Sequence, residues 1–204
     1  MKTPQQKIDL YKQHKAEYVT PRQPVLLNIG PAVYLAVEDH GRPGGDAFQA
    51  AISALYTVAF TIKMTRKAAG LGDYGVCKLE AQYFFDRDPV EVPKHEWRWR
   101  LLIRTPDFVT SADVARAGAA LAKRGQGGGA RRVTRLRLRE GRCVQMLHVG
   151  PYDHEGETME VMKEFVRREG WRLKGPHHEI YLSDPRRVAP EKLRTILRVP
   201  VQRA

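Results

Sequence analysis

The segment DAFQAAISALYTVAFTI, residues 46–62, carries the most regular apolar pattern of the chain. Its apolar residues recur at three- and four-residue steps, which is typical of the buried face of an amphipathic helix. The turn GRPGG (41–45) precedes the segment, Asp46 can cap the helix, and Gly70 can end it. The sequence therefore predicts a long helix that begins at Asp46, ends before Gly70 and packs on a sheet.

Strand-like segments surround this helix in an order that the second half of the chain repeats. Each segment is rich in β-branched and aromatic residues, and the first forms one or two strands around Pro31. A second helix follows the turn Gly150-Pro151-Tyr152 and ends near Gly170. The predicted strands are residues 25–38, 75–85, 96–104, 133–149, 177–184 and 195–201.

The two halves also coincide when one is slid along the other. A shift of 111 residues places Gly156 on Gly45, and a shift of 99 places Glu179 on Glu80. Duplicated modules often pack around a pseudo-twofold axis, and a cleft at such a junction is a usual ligand site. The sequence therefore predicts an α+β fold of two fused strand-helix-strand-strand modules, with helices packed on antiparallel sheets and a central ligand cleft.

Changes in composition indicate where the modules begin and end. Thr3 and Pro4 suit the start of a leader helix, and the four glycines within residues 125–129 indicate a flexible joint. The predicted segments are an N-terminal leader helix (1–23), a first module (24–109), a connecting helix with a glycine-rich linker (110–130) and a second module (131–204).

The composition is that of an ordinary globular protein. Of 204 residues, 42% are apolar and 28% are charged, so a packed core is expected. The least polar stretch, residues 48–60, has 13 residues, whereas a membrane span needs about 20. Because no secretory signal precedes residue 8 and neither cysteine lies in a CxxC motif, we expect a cytoplasmic protein without a membrane span.

Basic residues exceed acidic ones, giving a formal net charge of +12. Eight of them lie in residues 123–142, with Glu140 as the only acid there. Such a strip can contact phosphates, but no helix-turn-helix, zinc-finger spacing or aromatic-basic ribbon accompanies it. We therefore expect a solvated strand face and no specific nucleic-acid binding.

The histidines and cysteines do not form a recognisable metal or nucleophile motif. His177 and His178 are adjacent and point to opposite faces of a strand. Cys77 and Cys143 lack a base partner in the sequence and are interpreted as small buried hydrophobic residues. No metal and no other cofactor is predicted.

Two glutamates in the predicted strands are the strongest candidates for chemistry. Glu80 is followed by Tyr83 and Phe84, and Glu179 by Tyr181, while Trp97 and Trp99 share a face of the adjoining strand. A carboxylate among aromatic rings suits a flat, cationic or electrophilic molecule. The alternative is that both glutamates are paired with surface arginines and that the rings belong to the core.

Four segments together resemble the GyrI-like small-molecule-binding family, in particular its stand-alone branch that includes the cyclopropanoid cyclopropyl hydrolases. They are DYGVCKLE (73–80), EWRWRLLIRTPDF (96–108), HVGPY (148–152) and HHEIYLSDP (177–185). The resemblance covers nearly the whole chain, from about residue 10 to residue 201. It implies two strand-helix-strand-strand modules around a pocket that binds lipophilic cations or hydrolyses DNA-alkylating cyclopropane compounds.

The resemblance also assigns roles to residues. It implies catalytic roles for Glu80, Glu179, Tyr83 and Tyr181 and ligand binding by Phe84, Trp97, Trp99 and Tyr152, with either glutamate as the base and either catalytic tyrosine as the donor. Hydrolytic relatives often have two tryptophans where this chain has Tyr83 and Phe84, so its stacking wall is smaller.

Two functions follow from this resemblance. One is capture of planar, amphipathic, cationic or electrophilic compounds with hydrolysis of their cyclopropane ring, which would serve detoxification. The other is a non-catalytic sensor or sequestering module that acts through a protein partner. The expected partners are a small-molecule ligand or substrate and, in a homodimer, a second copy of the chain.

Overall fold

The computed structural model describes residues 7–204, so the predicted cap at Thr3 and Pro4 lies outside the described residues. The strands are β1 (Val25–His40), β2 (Leu79–Phe84), β3 (Arg98–Thr105), β4 (Thr134–Val149), β5 (Trp171–Leu173), β6 (His177–Tyr181) and β7 (Arg194–Arg203). The helices are α1 (Leu10–Gln13), α2 (Asp46–Ala68), α3 (Ser111–Lys123), α4 (Gly127–Ala130) and α5 (Glu155–Arg168).

All seven strands belong to one antiparallel sheet with the order β4-β1-β3-β2-β6-β7-β5. A further pairing of β4 with β7 closes six of these strands into a barrel-like sheet. The α+β class and the helices packed on an antiparallel sheet are therefore confirmed. The expectation of separate sheets is wrong, because the strands of both halves hydrogen-bond into one closed sheet, while the central ligand cleft stays a prediction.

The pairing pattern within each half is the same. In the first half β3 lies between β1 and β2, and in the second half β7 lies between β4 and β6. The halves meet where β1 pairs with β4 and where β2 pairs with β6. This connectivity agrees with a duplicated module, while the pseudo-twofold axis stays a prediction.

The long helix predicted from residue 46 is confirmed as α2. Its buried face packs on the outside of the sheet and contains Phe48, Leu55, Val58 and Ile62. Gly45 is the N-cap residue, so Asp46 is the first helical residue and makes no side-chain cap. By length and composition alone α2 could cross a membrane, but a core helix of a globular protein passes the same criterion.

The segment between the halves is packed rather than open. Thr110 and Asp113 form a capping box at the start of α3. Gly127 and Gly129, predicted to belong to a flexible joint, lie in the helical turn α4. A Cβ at Gly127 would lie 2.9 Å from Ala122 Cα, and one at Gly129 would lie 3.1 Å from Ala54 Cβ. These glycines therefore permit α4 to approach α2 and α3 closely.

Within residues 7–23, the part of the leader that the structure describes, one continuous helix is not formed. This part contains α1 and a 3₁₀ turn, Lys15–Tyr18. Arg198 donates a hydrogen bond to the backbone carbonyl of Glu17 (2.5 Å), and Gln145 donates one to that of Val19 (2.7 Å). The leader thus contacts the polar side chains that line the inside of the barrel.

Candidate functional site

Strand register places Glu80 and Glu179 on opposite faces of the sheet. Glu80 pairs with Ile180, and Glu179 pairs with Ala81, in the antiparallel ladder of β2 and β6. Directly paired residues share a face and neighbours along a strand alternate, so the two carboxyl groups point away from each other. The prediction that they face each other across a cleft is therefore wrong.

Glu80 points into the barrel, where it is fully buried. Its Oε2 atom lies 3.0 Å from His178 Nε2, which is within ion-pair distance. The two atoms are not aligned for a hydrogen bond. The Tyr18 hydroxyl donates a hydrogen bond to Glu80 Oε1 (3.3 Å). Arg104 donates to the Glu17 carboxylate (2.7 Å) beside this tyrosine. Glu80 is thus a member of a buried ionic cluster within the sheet.

Glu140 connects the other members of this interior cluster. Its two oxygens lie 2.8 Å from His178 Nδ1 and 2.9 Å from Arg198 Nη1. Burial alone would lower the pKa of His178, but the charges of Glu140 and Glu80 outweigh burial and raise it to about 9. Burial would raise the pKa of Glu140, but His178 and Arg198 outweigh it and lower that pKa to about 2. Both groups are therefore charged at neutral pH.

These shifts predict that stability falls at alkaline pH. The pKa of His178 rises from 6.5 in the unfolded chain to about 9, so its contribution is complete below about pH 6.5 and is lost as the pH rises through 9. A shift of this size corresponds to about 3 kcal/mol. The stability that Glu140 contributes depends on pH in the opposite direction: it is present above the ordinary pKa of 4.5 and is lost as the pH falls through 2.

Urea unfolding at a series of pH values measures this dependence. The free energy of unfolding should reach its highest values between about pH 4.5 and 6.5 and then decrease toward pH 9. The slope above neutral pH should be reduced in His178→Asn relative to the natural chain. A free energy of unfolding that stays constant from neutral pH to pH 9 would contradict the assignment.

Glu179 lies on the outer face of the sheet, in a second acidic group. His177 Nε2 lies 3.1 Å from Glu179 Oε1, which confirms that His177 and His178 point to opposite faces. Glu155, the first residue of α5, joins them, and donor atoms of Glu155, His177 and Glu179 all lie within 4.8 Å of one another. We call these three residues the outer acid cluster. Both of its carboxyl groups are buried.

The two carboxyl groups of this cluster have opposite pKa shifts. Burial, and next to it the charge of Glu179, raises the pKa of Glu155 well above its usual range. Burial also favours the neutral form of Glu179, but the hydrogen bond and the charge of His177 oppose this, and the pKa of Glu179 is lowered. The two shifts therefore favour the ionised form of Glu179 and the protonated form of Glu155, which is the difference that general acid-base chemistry requires.

Aromatic residues from four segments surround the outer acid cluster. The hydroxyls of Tyr83 and Tyr181 are 3.0 Å apart, and the Tyr83 ring stacks on His177 with 6.3 Å between centroids. Tyr152 meets Tyr181 edge to face at 5.7 Å, and Trp97 meets Tyr83 in the same way at 5.7 Å. Tyr152 is 38% exposed, so this group of rings reaches the surface. A buried carboxylate and two phenols thus lie among aromatic rings, with Tyr152 at the surface.

Two predicted ligand-binding residues, Trp99 and Phe84, contact groups outside the outer acid cluster. Trp99 is buried under α2, against Phe48, and donates its indole hydrogen to the carbonyl of Gly41. Phe84 lies beneath the guanidinium of Arg100, 5.0 Å from the ring centroid. Both border a shallow concavity of about 400 Å³ that none of the predicted catalytic residues lines. The structure thus brings together Glu179, Tyr83, Tyr181, Tyr152 and Trp97 and separates Glu80 and Phe84 from them. Trp99 is the cross-strand neighbour of Tyr83, but its ring packs against Phe48 of α2.

Glu155 is absent from the residues predicted from sequence. Its signal was an acid in the first turn of the second helix, three residues after Tyr152 of the Gly-Pro-Tyr turn. The outer acid cluster also supplies two carboxylates and an imidazole that could ligate a divalent ion. Cys77 and Cys143 are buried and unbridged, and burial raises the pKa of both thiols to about 12, which agrees with their interpretation as inert core residues.

The chain is similar to three solved structures from Listeria innocua. An uncharacterized conserved protein is 38% identical, with a TM-score of 0.90 over 96% of this chain and 100% of that chain. Two hydrolase structures are 37% and 36% identical, with TM-scores of 0.87 and 0.89; they cover 96% and 97% of this chain and 100% of their own. No curated protein matches the chain significantly.

The profile of one protein family matches most of the chain. It is described as the GyrI-like small molecule binding domain, and it spans residues 34–202. This span contains the outer acid cluster and its surrounding rings, whereas Glu17 and Tyr18 of the leader precede it. The resemblance inferred from the four sequence segments is therefore confirmed, and the chain belongs to the GyrI-like small-molecule-binding family.

Proposed function

We propose that the chain binds planar electrophilic or cationic compounds at the outer acid cluster and hydrolyses those that carry a cyclopropane ring conjugated to a dienone. The observation that carries the proposal is the pair of buried carboxyl groups of Glu155 and Glu179, which lie with His177 within 4.8 Å of one another among the rings of Tyr83, Tyr152 and Tyr181. Family membership supports small-molecule binding, and the hydrolase names of similar proteins support hydrolysis.

The reaction needs a base and a hydrogen-bond donor. Glu179 takes a proton from water, whose oxygen forms a bond to a carbon of the strained ring. The ring carbon–carbon bond breaks, and its electron pair moves through the dienone to the oxygen, which becomes a phenolate. Tyr83 and Tyr181, whose hydroxyls are 3.0 Å apart, donate to that oxygen as its charge develops. The proton that Glu179 took is then returned to the phenolate, so the product is one ring-opened molecule that carries both an alcohol and a phenol.

The same geometry explains the proposed preference for flat molecules. The rings of Tyr152, Tyr181 and Trp97 meet their neighbours edge to face, which leaves ring faces for stacking with a ligand. The Glu179 anion attracts a cation or a partly positive carbon. Burial excludes water from the carboxylates and strengthens this attraction.

Loss of one phenol should slow turnover more than binding. Because each hydroxyl stabilises charge that develops only in the transition state, Tyr83→Phe and Tyr181→Phe should each lower kcat by about 10²-fold and change KM little. Tyr74→Phe is the control, since the buried Tyr74 hydroxyl has no hydrogen-bond partner among residues 7–204. Steady-state kinetics with a cyclopropane-dienone substrate measures the effect; an unchanged kcat in both variants would contradict the donor role.

Product analysis tests the proposal as a whole. The natural chain is mixed with a panel of flat cationic and neutral compounds, binding is followed by tryptophan fluorescence, and the same mixtures are analysed by mass spectrometry. A cyclopropane compound that gains one water supports hydrolysis. Unchanged compound recovered from a tight complex supports the sequestering function instead, and the absence of binding across the panel contradicts both.

A further inference from the structure

The outer acid cluster buries two carboxyl groups beside one imidazole. Glu155 and Glu179 are 8% and 7% exposed, and the donor atoms that they and His177 offer all lie within 4.8 Å. Two carboxylate anions at this separation in a poorly solvated site repel each other strongly. Such pairs titrate as a unit and retain one proton between them.

Hydrogen bonding distinguishes the two members of the pair. Glu179 Oε1 is 3.1 Å from His177 Nε2, whereas Glu155 Oε1 is buried and has no hydrogen-bond partner among residues 7–204. The hydroxyl of Thr195, which is fully buried, also has no partner within that range. A buried oxygen without a hydrogen-bond partner costs less free energy in a neutral carboxylic acid than in a carboxylate anion, because removing a charge from water costs more. The geometry therefore places the proton on Glu155.

The other titratable groups that act on the pair are tyrosines and aspartates, and the nearby cations are paired with those aspartates: Lys94 with Asp153, and Arg186 and Arg187 with Asp184. The tyrosines and aspartates come from β2, from the turn before α5, from β6 and from the segment after it: Tyr83, Tyr152, Asp153, Tyr181 and Asp184. The tyrosines are neutral at pH 7 and the aspartates are anions. The imidazole of His177 already contacts Glu179, and Glu155 makes no ion pair with any residue in the range 7–204.

We infer that Glu155 and Glu179 hold one proton between them in the empty site and that a cationic ligand releases it, whereas a neutral ligand leaves it in place. The inference rests on the proposed function, because it takes the ligand to bind against the outer acid cluster. A cation replaces the proton as the counter-charge. A neutral electrophile cannot replace it, so Glu155 remains an acid while Glu179 acts as the base.

The charge of the ligand then determines how binding depends on pH. Proton release makes the affinity for a cation increase as the pH rises, whereas the affinity for a neutral compound does not gain from that rise. A cationic ligand releases the proton of Glu155, so the site should retain cationic ligands as intact complexes. The class that the site converts is the neutral electrophile, which meets both an acid and a base.

Infrared spectroscopy detects the shared proton without any ligand. The natural chain at pH 7 should show the carbonyl stretch of a protonated carboxylic acid. Glu155→Gln should remove this band, and Glu157→Gln should keep it, because Glu157 is exposed on the same turn of α5. A natural chain without the band overturns the inference. Purified protein that contains one equivalent of a divalent metal also overturns it, since the ion would replace the proton.

Calorimetry tests the response to ligand charge. The probes are 5-methylphenanthridinium, a flat cation, and phenanthridine, its neutral analogue, each titrated at pH 7 in phosphate and in Tris. The difference in enthalpy between the buffers gives the number of protons released, which should be about one for the cation and about zero for the neutral compound. Glu155→Gln should bind the cation and release no proton.

The outcomes separate this inference from the proposed function. If both probes bind and neither enthalpy depends on the buffer, the inference is wrong and the proposed binding site stands. If neither probe binds, the proposed function is contradicted together with the ligand-dependent half of the inference. In either case the infrared band shows whether Glu155 and Glu179 share a proton.

Discussion

Replacing Glu179 with glutamine is expected to lower kcat/KM for a cyclopropane-dienone substrate by about 10²–10⁴-fold. The substitution keeps the size of the side chain and its place beside His177, 3.1 Å away, but an amide cannot accept the proton of the attacking water. Because Glu179 is the anion of the outer acid cluster, no other carboxylate of that cluster is available as the base at neutral pH.

The control for this loss is Glu157→Gln, which removes an exposed carboxylate two residues after Glu155 and should retain full activity. Circular dichroism and urea unfolding establish that both variants fold. The decisive pair of results is a folded Glu179→Gln chain without turnover and a folded Glu157→Gln chain with it. A Glu179→Gln enzyme as active as the natural one would exclude Glu179 as the base.

Replacing Glu140 with glutamine is expected to lower the free energy of unfolding by about 3–5 kcal/mol. Glu140 lies between His178 and Arg198, at 2.8 and 2.9 Å, and all three side chains are buried within the barrel. Removing its charge leaves two buried cations without their common anion, and burial of an unpaired charge is costly.

Urea unfolding measures this loss, and Glu164→Gln provides the comparison. Glu164 pairs with Arg167 on the exposed face of α5, where both side chains are more than half exposed. Exposed pairs contribute little to stability, so Glu164→Gln should unfold at nearly the same urea concentration as the natural chain. Equal stability of the Glu140→Gln and Glu164→Gln chains would refute the idea that the interior cluster depends on Glu140.

Local sequence patterns predicted most of the elements because their signals are local. The apolar spacing of residues 46–62 marked α2, and the Thr110-Ser111 start of α3 is a capping box. The short strand β5 (Trp171–Leu173) was missed, since three residues carry no usable alternation. Closure of the barrel was also missed, because the pairing of β4 with β7 depends on twist and register between distant strands.

The candidate site was predicted in part for a similar reason. Glu179 and Tyr181 were identified correctly as neighbours on one strand, and the structure brings Tyr83 to them from β2. The assumed equivalence of Glu80 and Glu179 used a shift of 99 residues, whereas Glu80 pairs with Ile180. An offset of one residue moves a side chain to the other face of a sheet, so Glu80 became part of the interior cluster.

The ladder between β4 and β7 also affects how the protein behaves with other copies of itself. Among the described residues the six strands of the closed ring have neighbours on both sides, and β5, with three residues, pairs with β7 alone. Exposed strand borders are the usual templates for fibril growth and domain exchange. A ring without long free borders gives such growth no starting point while the chain stays folded, so aggregation would first require the ring to open.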